Sequence, residues 1–262
     1  MIRIKRLIRA VMTIMLSLVR VIIAPRCTRD FLAYVYSYRP FPYISTIVQK
    51  RLPEAIPNAE HLYVTVRKCF LQHGNMTGEE IITILILIKW RRPKRVFEFG
   101  TFNGNTTYQI ALNTDQDTRI DTLNLPVDHG ETILGSSKQD KMVHTKNMGS
   151  GQVFFGEPEA KRIHQLFGDS ATFDFSPFYR QIDFVLVDAG HEYEYVKSDT
   201  INSFKLLTEN GGLIVWHDFP NAPGVVIWLE ELSLEVSIVH INNTRLAFAE
   251  IGPDLLKKLS FR

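Results

Sequence analysis

The segment from residue 95 to residue 107 constrains the fold of this chain most, and its sequence is RVFEFGTFNGNTT. A run typical of a buried strand ends at Phe99, and Gly100 and Gly104 follow before a helix-like run over residues 106–112. This order brings bare backbone N–H groups and a helix N-terminus against a nucleotide-like ligand. The glycines are needed because a Cβ at either position would push the ligand away or forbid the turn. The segment therefore predicts an α/β sheet with a ligand site at this turn.

Strand-like and helix-like segments alternate through the rest of the chain. We predict strands at 119–123, 162–167, 183–187 and 212–216, and helices at 59–72, 77–90 and 194–207. Residues 235–241 and 245–250 are joined by residues 242–244, Asn-Asn-Thr, which have the composition of a hairpin turn. Such an alternation predicts a Rossmann-like, mostly parallel sheet with helices on both faces and a C-terminal antiparallel hairpin strand.

The N-terminal part differs in composition, and we divide the chain into an extension, residues 1–58, and a main domain, residues 59–262. Residues 1–24 have a basic and an apolar face at helical spacing, and Pro25 ends this pattern. Packing on its own domain or on a dimer partner, peripheral contact with an anionic membrane, and a cleaved signal all remain open. The apolar run is too short to span a bilayer. The aromatic residues between positions 31 and 43 either line a substrate pocket or pack over a core.

Composition excludes several classes of function. The chain has 262 residues and a net charge of +2, which is too small to favour a nucleic-acid partner. Its two cysteines provide neither a disulfide framework nor a metal-ligand pair. We therefore expect a cytoplasmic protein, with peripheral attachment to the inner face of the membrane and homo-oligomerisation both left open.

Polar residues follow every predicted parallel strand, at the edge of the sheet where ligands bind. In strand order they are Glu98, Gly100, Thr101 and Gly104; Asn124; Asp169 and Ser170; Asp188 and His191; and His217 and Asp218. Asp188 and Asp218 could hold a hard divalent cation through oxygen, and His191 could accept a proton. Each residue has an ordinary structural alternative, such as an Asp that caps a helix. Their convergence at one edge favours a functional site, because unpaired charges there would be costly.

Four motifs together resemble the class I S-adenosylmethionine-dependent methyltransferases, in particular the small-molecule O-methyltransferase-like branch with Asp-x-x-His and Trp-His-Asp motifs. They are EFGTFNG at 98–104, GDS at 168–170, DFVLVDAGH at 183–191 and GGLIVWHD at 211–218. The resemblance covers residues 78–249.

The resemblance also implies roles for these residues. The residues from Glu98 to Gly104, which include Gly100 and Thr101, would approach the amino-acid portion of S-adenosylmethionine. Asn124 would lie at the ribose, Asp169 and Ser170 beside the adenine, and Asp188 next to the cofactor. A divalent metal, Mg²⁺ or Mn²⁺, would be held by Asp188, His217 and Asp218, and His191 would be the base.

Two positions depart from the family pattern. The ribose position is usually acidic, whereas Asn124 is an amide and lacks the charge-assisted strength of a carboxylate. Metal-using relatives commonly have an acid at the position of His217, and a nitrogen ligand suits Mg²⁺ less well than Mn²⁺, Fe or Zn²⁺.

The function expected from these residues is methyl transfer to a hydroxyl of a small molecule or glycan. His191 would deprotonate that hydroxyl while Asp188 and Asp218 orient it, directly or through a metal ion. A non-catalytic, membrane-associated accessory protein with a degenerate cofactor site is the alternative. A nicotinamide-dependent oxidoreductase is disfavoured, because the spacing Gly-x-Gly-x-x-Gly is absent.

Overall fold

A computed structural model of the chain describes residues 47–71, 74–126 and 149–259. The predicted N-terminal helix, the aromatic residues from position 31 to position 43 and most of the polar segment 127–151 lie outside these described residues. Within the described ranges, no helix combines the length and the hydropathy needed to cross a bilayer.

The described residues form an eight-stranded sheet flanked by helices. The strands are β1 Val48–Lys50, β2 Arg95–Phe99, β3 Arg119–Asn124, β4 Ile163–Phe167, β5 Phe184–Val187, β6 Gly212–Trp216, β7 Val239–Ile241 and β8 Ala247–Ile251. The helices are α1 Leu52–Ala55, α2 Gly78–Arg91, α3 Asn105–Asn113, α4 Tyr193–Leu206, α5 Pro223–Ser233 and α6 Pro253–Leu259, with short 3₁₀ turns at Ala59–His61, Pro158–Arg162 and Ser176–Phe178.

The spatial order of the strands is β1-β7-β8-β6-β5-β2-β3-β4. Only β8 runs antiparallel to its neighbours β6 and β7, and every other pair in this sheet is parallel. The central strands β5 and β6 are buried along their whole length, as expected for strands covered by helices on both faces. The predicted fold class, a Rossmann-like and mostly parallel sheet with one antiparallel hairpin strand, is confirmed.

The order in which successive strands are added to the sheet reverses between the parallel neighbours β2 and β5. From β2 the chain moves outward to β3 and β4, and it then returns to add β5 and β6 on the other side. Ligands of open α/β sheets bind at such a switch point, beyond the carboxyl ends of the strands. Gly100 follows β2 here with φ of +96°, and a Cβ on it would lie 2.0 Å from the carbonyl oxygen of Asp188. Glycine is therefore required where the ends of β2 and β5 approach each other.

The predicted helix over residues 59–72 is wrong. After the 3₁₀ turn Ala59–His61, the chain forms neither helix nor strand up to residue 71, and it bends at Lys68, whose φ is +48°. We call residues 62–71 the strap, because this segment lies along α3 and its backbone bonds to three amide side chains of that helix. The backbone N–H and C=O groups of Thr65, Arg67 and Phe70 pair with the amides of Asn113, Gln109 and Asn105, respectively.

These three amides lie four residues apart on α3, so they form one row on the helix surface. Each amide donates to one carbonyl and accepts from the N–H of the same strap residue, as a neighbouring β-strand would. All three are buried, and their polar atoms would be costly to leave unpaired. The non-helical strap therefore satisfies the row of amides, because a helix over residues 59–72 would use its own backbone N–H and C=O groups internally.

We expect Gln109→Ala to lower the free energy of unfolding by about 1–3 kcal/mol, because both backbone groups of Arg67 lose their buried partner. Chemical denaturation measures this change, and hydrogen exchange of the Arg67 amide should accelerate. Gln49→Ala is the matched control, since Gln49 is an exposed amide on the edge strand β1. Equal stabilities of the two variants would contradict a supporting role for the row of amides.

Candidate active site

Four predicted site residues lie together beyond the ends of β5 and β6. Asp188 follows β5 directly, and His217 and Asp218 follow β6, its parallel neighbour. Nδ1 of His217 is 2.9 Å from Oδ1 of Asp188 and 3.0 Å from Oδ2 of Asp218. Nε2 of His191 is 2.7 Å from the same Oδ2 of Asp218. The structure thus brings the imidazole of His191 to Asp218 at the ends of these two strands.

Asp218 is the centre of this cluster. Its Oδ2 contacts both imidazoles, and its Oδ1 accepts a hydrogen bond of 2.8 Å from Nη1 of Arg245. The backbone of Asp218 has φ of +62°, a left-handed conformation that is uncommon for a residue other than glycine. Residues held in this way cluster at functional sites, where the surrounding contacts compensate the strain. Here those contacts are the three side chains that bind the carboxylate.

Sequence reasoning missed two members of the cluster, Glu80 and Arg245. Glu80 is 2% exposed, and its two carboxylate oxygens accept hydrogen bonds of 2.9–3.1 Å from the backbone N–H, Nε and Nη2 of Arg245. Oε2 of Glu80 also accepts from the backbone N–H of Thr77, the N-cap residue of α2, and lies 3.5 Å from Nε2 of His217. Thr77 and Glu80 thus form a capping box at the start of α2, and the same carboxylate also enters the site.

The electrostatics of the cluster follow from burial and close pairing. Burial opposes ionisation of Asp218, but the hydrogen bonds from His191 and His217 outweigh it and lower the pKa of Asp218. Burial likewise opposes ionisation of Glu80, yet His217 and Arg245 hold the pKa of Glu80 below its usual value. For His217 burial favours the neutral ring, but the carboxylates, Asp188 foremost, raise its pKa well above the usual value. The site therefore keeps Glu80 and Asp218 ionised although both are largely buried.

Asp188, His217 and Asp218 also fit a divalent cation. One donor atom from each residue lies within 4.8 Å of the others. With Nδ1 of His217 as the ligand, its Nε2–H would face Oε2 of Glu80, the arrangement that commonly orients a metal-binding histidine. Two oxygens and one nitrogen suit Mn²⁺, Fe or Zn²⁺ better than Mg²⁺.

Glu98, at the end of β2, lies in the interior rather than on the surface of the crevice. It is 1% exposed, and its Oε2 accepts hydrogen bonds from the hydroxyls of Thr107 on α3 and Thr122 on β3. The hydroxyl of Thr101 lies 2.7 Å from that of Thr122 and completes the chain of contacts. Burial raises the pKa of Glu98 to about 8, so this carboxyl is protonated near neutral pH. Glu98 ties the glycine turn to its neighbouring strand and helix.

Asn124, predicted at the ribose, contacts the glycine turn directly. Its Oδ1 accepts a 3.0 Å hydrogen bond from the backbone N–H of Phe102, and its Nδ2 donates to the carbonyl of Leu125. Phe102 has φ of +48°, so Asn124 supports an unusual backbone conformation inside the turn. Gly104, at the start of α3, packs against the ring of Phe154, where a Cβ would lie only 2.6 Å from ring carbons.

Asp169 and Ser170 follow β4 and face α4. Oδ1 of Asp169 accepts from the backbone N–H of Ala171, and its Oδ2 accepts a 3.2 Å hydrogen bond from the hydroxyl of Tyr195. Ser170 is 9% exposed. The sequence did not indicate Tyr195 as the partner of Asp169, because Tyr195 lies within the helical pattern of α4.

The comparisons with known proteins concern the same part of the chain. Residues 97–219 match the sequence model of a family described as a methyltransferase domain. This segment contains the glycine turn, Asp169 and the whole Asp188–His191–His217–Asp218 cluster. The match confirms the predicted enzyme class, a methyltransferase, for this part of the chain. No curated protein matches the sequence.

Several solved structures are similar in fold at low sequence identity. The O-methyltransferase TomG of Streptomyces achromogenes, solved with S-adenosylmethionine, has 16% identity and a TM-score of 0.49, over 67% of this chain and 81% of its own. An O-methyltransferase of Bacillus cereus, solved with S-adenosylhomocysteine, has 14% identity and a TM-score of 0.48, over 69% and 83%. A methyltransferase of Podospora anserina, also bound to S-adenosylhomocysteine, has 14% identity and a TM-score of 0.47, over 75% and 82%.

We expect Arg245→Met to lower the free energy of unfolding at neutral pH by about 3–5 kcal/mol, because Glu80 and Asp218 lose a buried partner. The stability from these ionised carboxylates is present above their unfolded pKa values and is lost as the pH falls. The difference in the free energy of unfolding between Arg245→Met and the wild type should therefore become smaller below about pH 4. Urea unfolding across this range measures it. Arg91→Met, which removes the exposed Arg91–Glu250 pair and the contact of the Arg91 guanidinium with the ring of Trp90, should cost at most about 1 kcal/mol at any pH.

Proposed function

We propose that this protein is an S-adenosylmethionine-dependent O-methyltransferase that acts on a hydroxyl of a small molecule or glycan, with His191 as the general base. One observation carries the proposal. Within the segment that matches the methyltransferase domain, Nε2 of His191 lies 2.7 Å from Oδ2 of Asp218, beyond the ends of adjacent parallel strands. A basic side chain oriented by a carboxylate at this edge can remove a proton from a bound acceptor.

The contact with Asp218 assigns complementary tasks to the two nitrogens of His191. When Nε2–H donates to Asp218, the tautomer with the proton on Nε2 is favoured, and Nδ1 is the basic nitrogen. Once Nδ1 takes a proton from the acceptor hydroxyl, the carboxylate of Asp218 stabilises the imidazolium, as the third member of a catalytic triad does. Arg245 and Glu80 hold that carboxylate in place.

The protein's main task in this reaction is alignment. The sulfonium of S-adenosylmethionine is an excellent leaving group, so the enzyme must hold the methyl carbon and the acceptor oxygen in line and handle one proton. In this proposal the turn from Gly100 to Gly104 holds the amino-acid portion of the cofactor, and Glu98 supports that turn from the interior. Asn124 lies at the ribose, and Asp169 with Ser170 lies at the adenine. The position of the turn at the switch point of the sheet supports this arrangement.

A divalent metal held by Asp188, His217 and Asp218 is part of the proposal. When bound, it would polarise the acceptor oxygen and lower the pKa of its hydroxyl. The residues themselves would supply two carboxylate oxygens and one imidazole nitrogen from neighbouring strand ends. A small-molecule or glycan hydroxyl is the proposed acceptor, and homo-oligomerisation and membrane contact of residues 1–24 remain proposals.

We expect His191→Ala to lower the turnover number about a hundred- to ten-thousand-fold, because the acceptor proton loses its base. The acceptor is first found by following labelled methyl groups from S-adenosylmethionine into phenols, sugars and lipid-linked glycans. Calorimetry should give the variant the same affinity for S-adenosylhomocysteine as the wild type. His61→Ala, which removes an exposed imidazole, serves as the control.

Two outcomes would contradict this mechanism in different ways. Unchanged turnover of His191→Ala would remove His191 as the base. A wild-type protein that binds NADH but not S-adenosylhomocysteine would instead overturn the cofactor assignment.

We expect Mn²⁺ to bind the wild-type protein and Asp188→Asn to weaken that binding at least about tenfold, because a charged oxygen ligand is lost. Electron paramagnetic resonance of Mn²⁺ measures the binding without any turnover. Asp117→Asn, which alters an exposed carboxylate at the opposite edge of the sheet, is the control. Equal Mn²⁺ affinities in the two variants would place the ion elsewhere or exclude it.

A further inference from the structure

Gly224 lies in the first turn of α5, where its missing side chain leaves room for the backbone of another segment. A Cβ here would lie 2.3 Å from the carbonyl oxygen of His191, 2.4 Å from the backbone nitrogen of Tyr193 and 2.8 Å from the carbonyl carbon of Glu192. We call residues 191–193, at the entry to α4, the corner. The first turn of α5 therefore packs directly on the backbone that carries the proposed base.

The contact with the corner explains why position 224 holds a glycine. Alanine is the better helix former, because glycine loses more conformational freedom on folding. The backbone of Gly224 has no left-handed φ that would require glycine. All three atoms that a Cβ would approach belong to the backbone, so no rotation of a side chain could relieve the overlap. A side chain at position 224 would therefore push the corner away from α5.

Asp218 and the start of α5 belong to one hydrogen-bonded turn. The carbonyl of Asp218 accepts 2.8 Å hydrogen bonds from the N–H groups of Asn221 and Ala222, and Ala222 is the N-cap residue of α5. The corner contacts this unit twice, because the imidazole of His191 lies 2.7 Å from Oδ2 of Asp218 and the backbone packs on Gly224. A displacement of the corner at Gly224 would therefore change the distance between the imidazole and the carboxylate.

The corner has a second contact with α5, further along the helix. The hydroxyl of Tyr193 donates a 2.6 Å hydrogen bond to Oε2 of Glu231. The ring of Tyr193 is buried and packs edge-on against Trp228, with 6.1 Å between the ring centroids. Gly224 thus permits the corner to approach α5, and Tyr193 fixes it there.

We propose that Gly224 is a positioning residue: it permits the close contact of the corner with α5, and this contact sets the distance at which the imidazole of His191 meets the carboxylate of Asp218. The inference rests on the proposed function, since it takes His191 as the base. It goes beyond that function by assigning a task to a residue that has no side chain and therefore cannot react itself.

The distances give the size of the displacement expected in Gly224→Ala. Non-bonded carbon and oxygen atoms lie about 3.3 Å apart even in close C–H···O contacts, whereas the added Cβ would lie 2.3 Å from the carbonyl oxygen of His191. The corner would therefore have to move by about 1 Å away from α5. Such a movement is large enough to break the 2.7 Å contact between His191 and Asp218.

The first test needs no acceptor. Nuclear magnetic resonance of the full-length protein with isotope-labelled histidine reports on the ring of His191, whose signals are identified by their absence in His191→Ala. In the wild type, the Nε2–H proton should be shifted downfield by its hydrogen bond to Asp218. That shift should be lost in Gly224→Ala. It should be kept in Gly252→Ala, the control, because a Cβ on Gly252 would meet nothing within 4 Å.

The second test is kinetic and follows labelled methyl groups into the acceptor found as described above. Gly224→Ala should lower the turnover number about ten- to a hundredfold, since a misplacement of about 1 Å can cost about a hundredfold in rate. The KM for S-adenosylmethionine and the calorimetric affinity for S-adenosylhomocysteine should stay unchanged. Added to His191→Ala, Gly224→Ala should cause no further loss of turnover, because it acts only through the base.

Tyr193→Phe tests the same contact if Gly224→Ala does not fold. This variant keeps the ring but loses the bond to Glu231, and its turnover number should fall about three- to tenfold, as expected for one lost hydrogen bond. Glu231→Gln, whose amide oxygen can still accept from Tyr193, should keep most of the turnover. The affinity for S-adenosylhomocysteine should be unchanged in both variants.

The outcomes separate this inference from the proposed function. An unchanged His191 signal and turnover in Gly224→Ala, or a loss that adds in full to that of His191→Ala, would make the inference wrong although His191 remains the base. If Gly224→Ala does not fold, wild-type turnover of Tyr193→Phe would have the same meaning. Wild-type turnover of His191→Ala would instead contradict the proposed function, from which the inference takes its base.

Discussion

The paired contact of Arg245 with Glu80 and Asp218 is the interaction on which the site depends. It connects three parts of the chain that are far apart in sequence: the first turn of α2, the connection between β7 and β8, and the end of β6. Without the guanidinium, two largely buried carboxylates would face each other and His217 with too little positive charge. With it, the pKa of Glu80 is held below its usual value, and Asp218 is fixed at Oδ1 while its Oδ2 faces His191. His191, the base in the proposed mechanism, therefore depends on Arg245, a cation that takes no part in the reaction itself.

The second constraint is the close approach of the backbones after β2 and β5. Gly100 lies against the carbonyl of Asp188, so the glycine turn and the carboxylate cluster share one edge of the sheet. Asn124 supports this turn by accepting a hydrogen bond from the backbone N–H of Phe102. Glu98 supports it from the interior by accepting hydrogen bonds from two threonine hydroxyls. A methyl donor held by the turn and an acceptor at His191 would consequently meet without a large movement of the backbone.

Secondary structure was predicted correctly from the sequence where the local pattern of apolar residues matches the burial that the fold gives to that segment. The strand β6 was predicted with its observed bounds, because a wholly apolar run between turns has one stable location, the middle of a parallel sheet. The prediction of a helix failed over residues 62–71, because the backbone of this segment bonds to three buried amide side chains on α3 instead of forming helical hydrogen bonds. The spacing of Asn105, Gln109 and Asn113 was visible, but nothing in it indicated a backbone partner some forty residues earlier in the chain. The helix α5 and the edge strand β1 were not predicted either.

The sequence by itself determined the order of strands and helices, the glycine turn and the residues that follow each parallel strand, because these depend on short-range periodicity and on the rule that parallel strands end at one edge. Only the tertiary structure decided which of those residues share contacts: His191 with Asp218, Glu98 with interior threonines, and Asp169 with Tyr195. It also brought in Glu80 and Arg245, which are 165 positions apart. The physical reason is that burial and charge pairing are properties of position in space. A carboxylate at a helix start has the same sequence pattern whether it only caps that helix or also holds an arginine in the site.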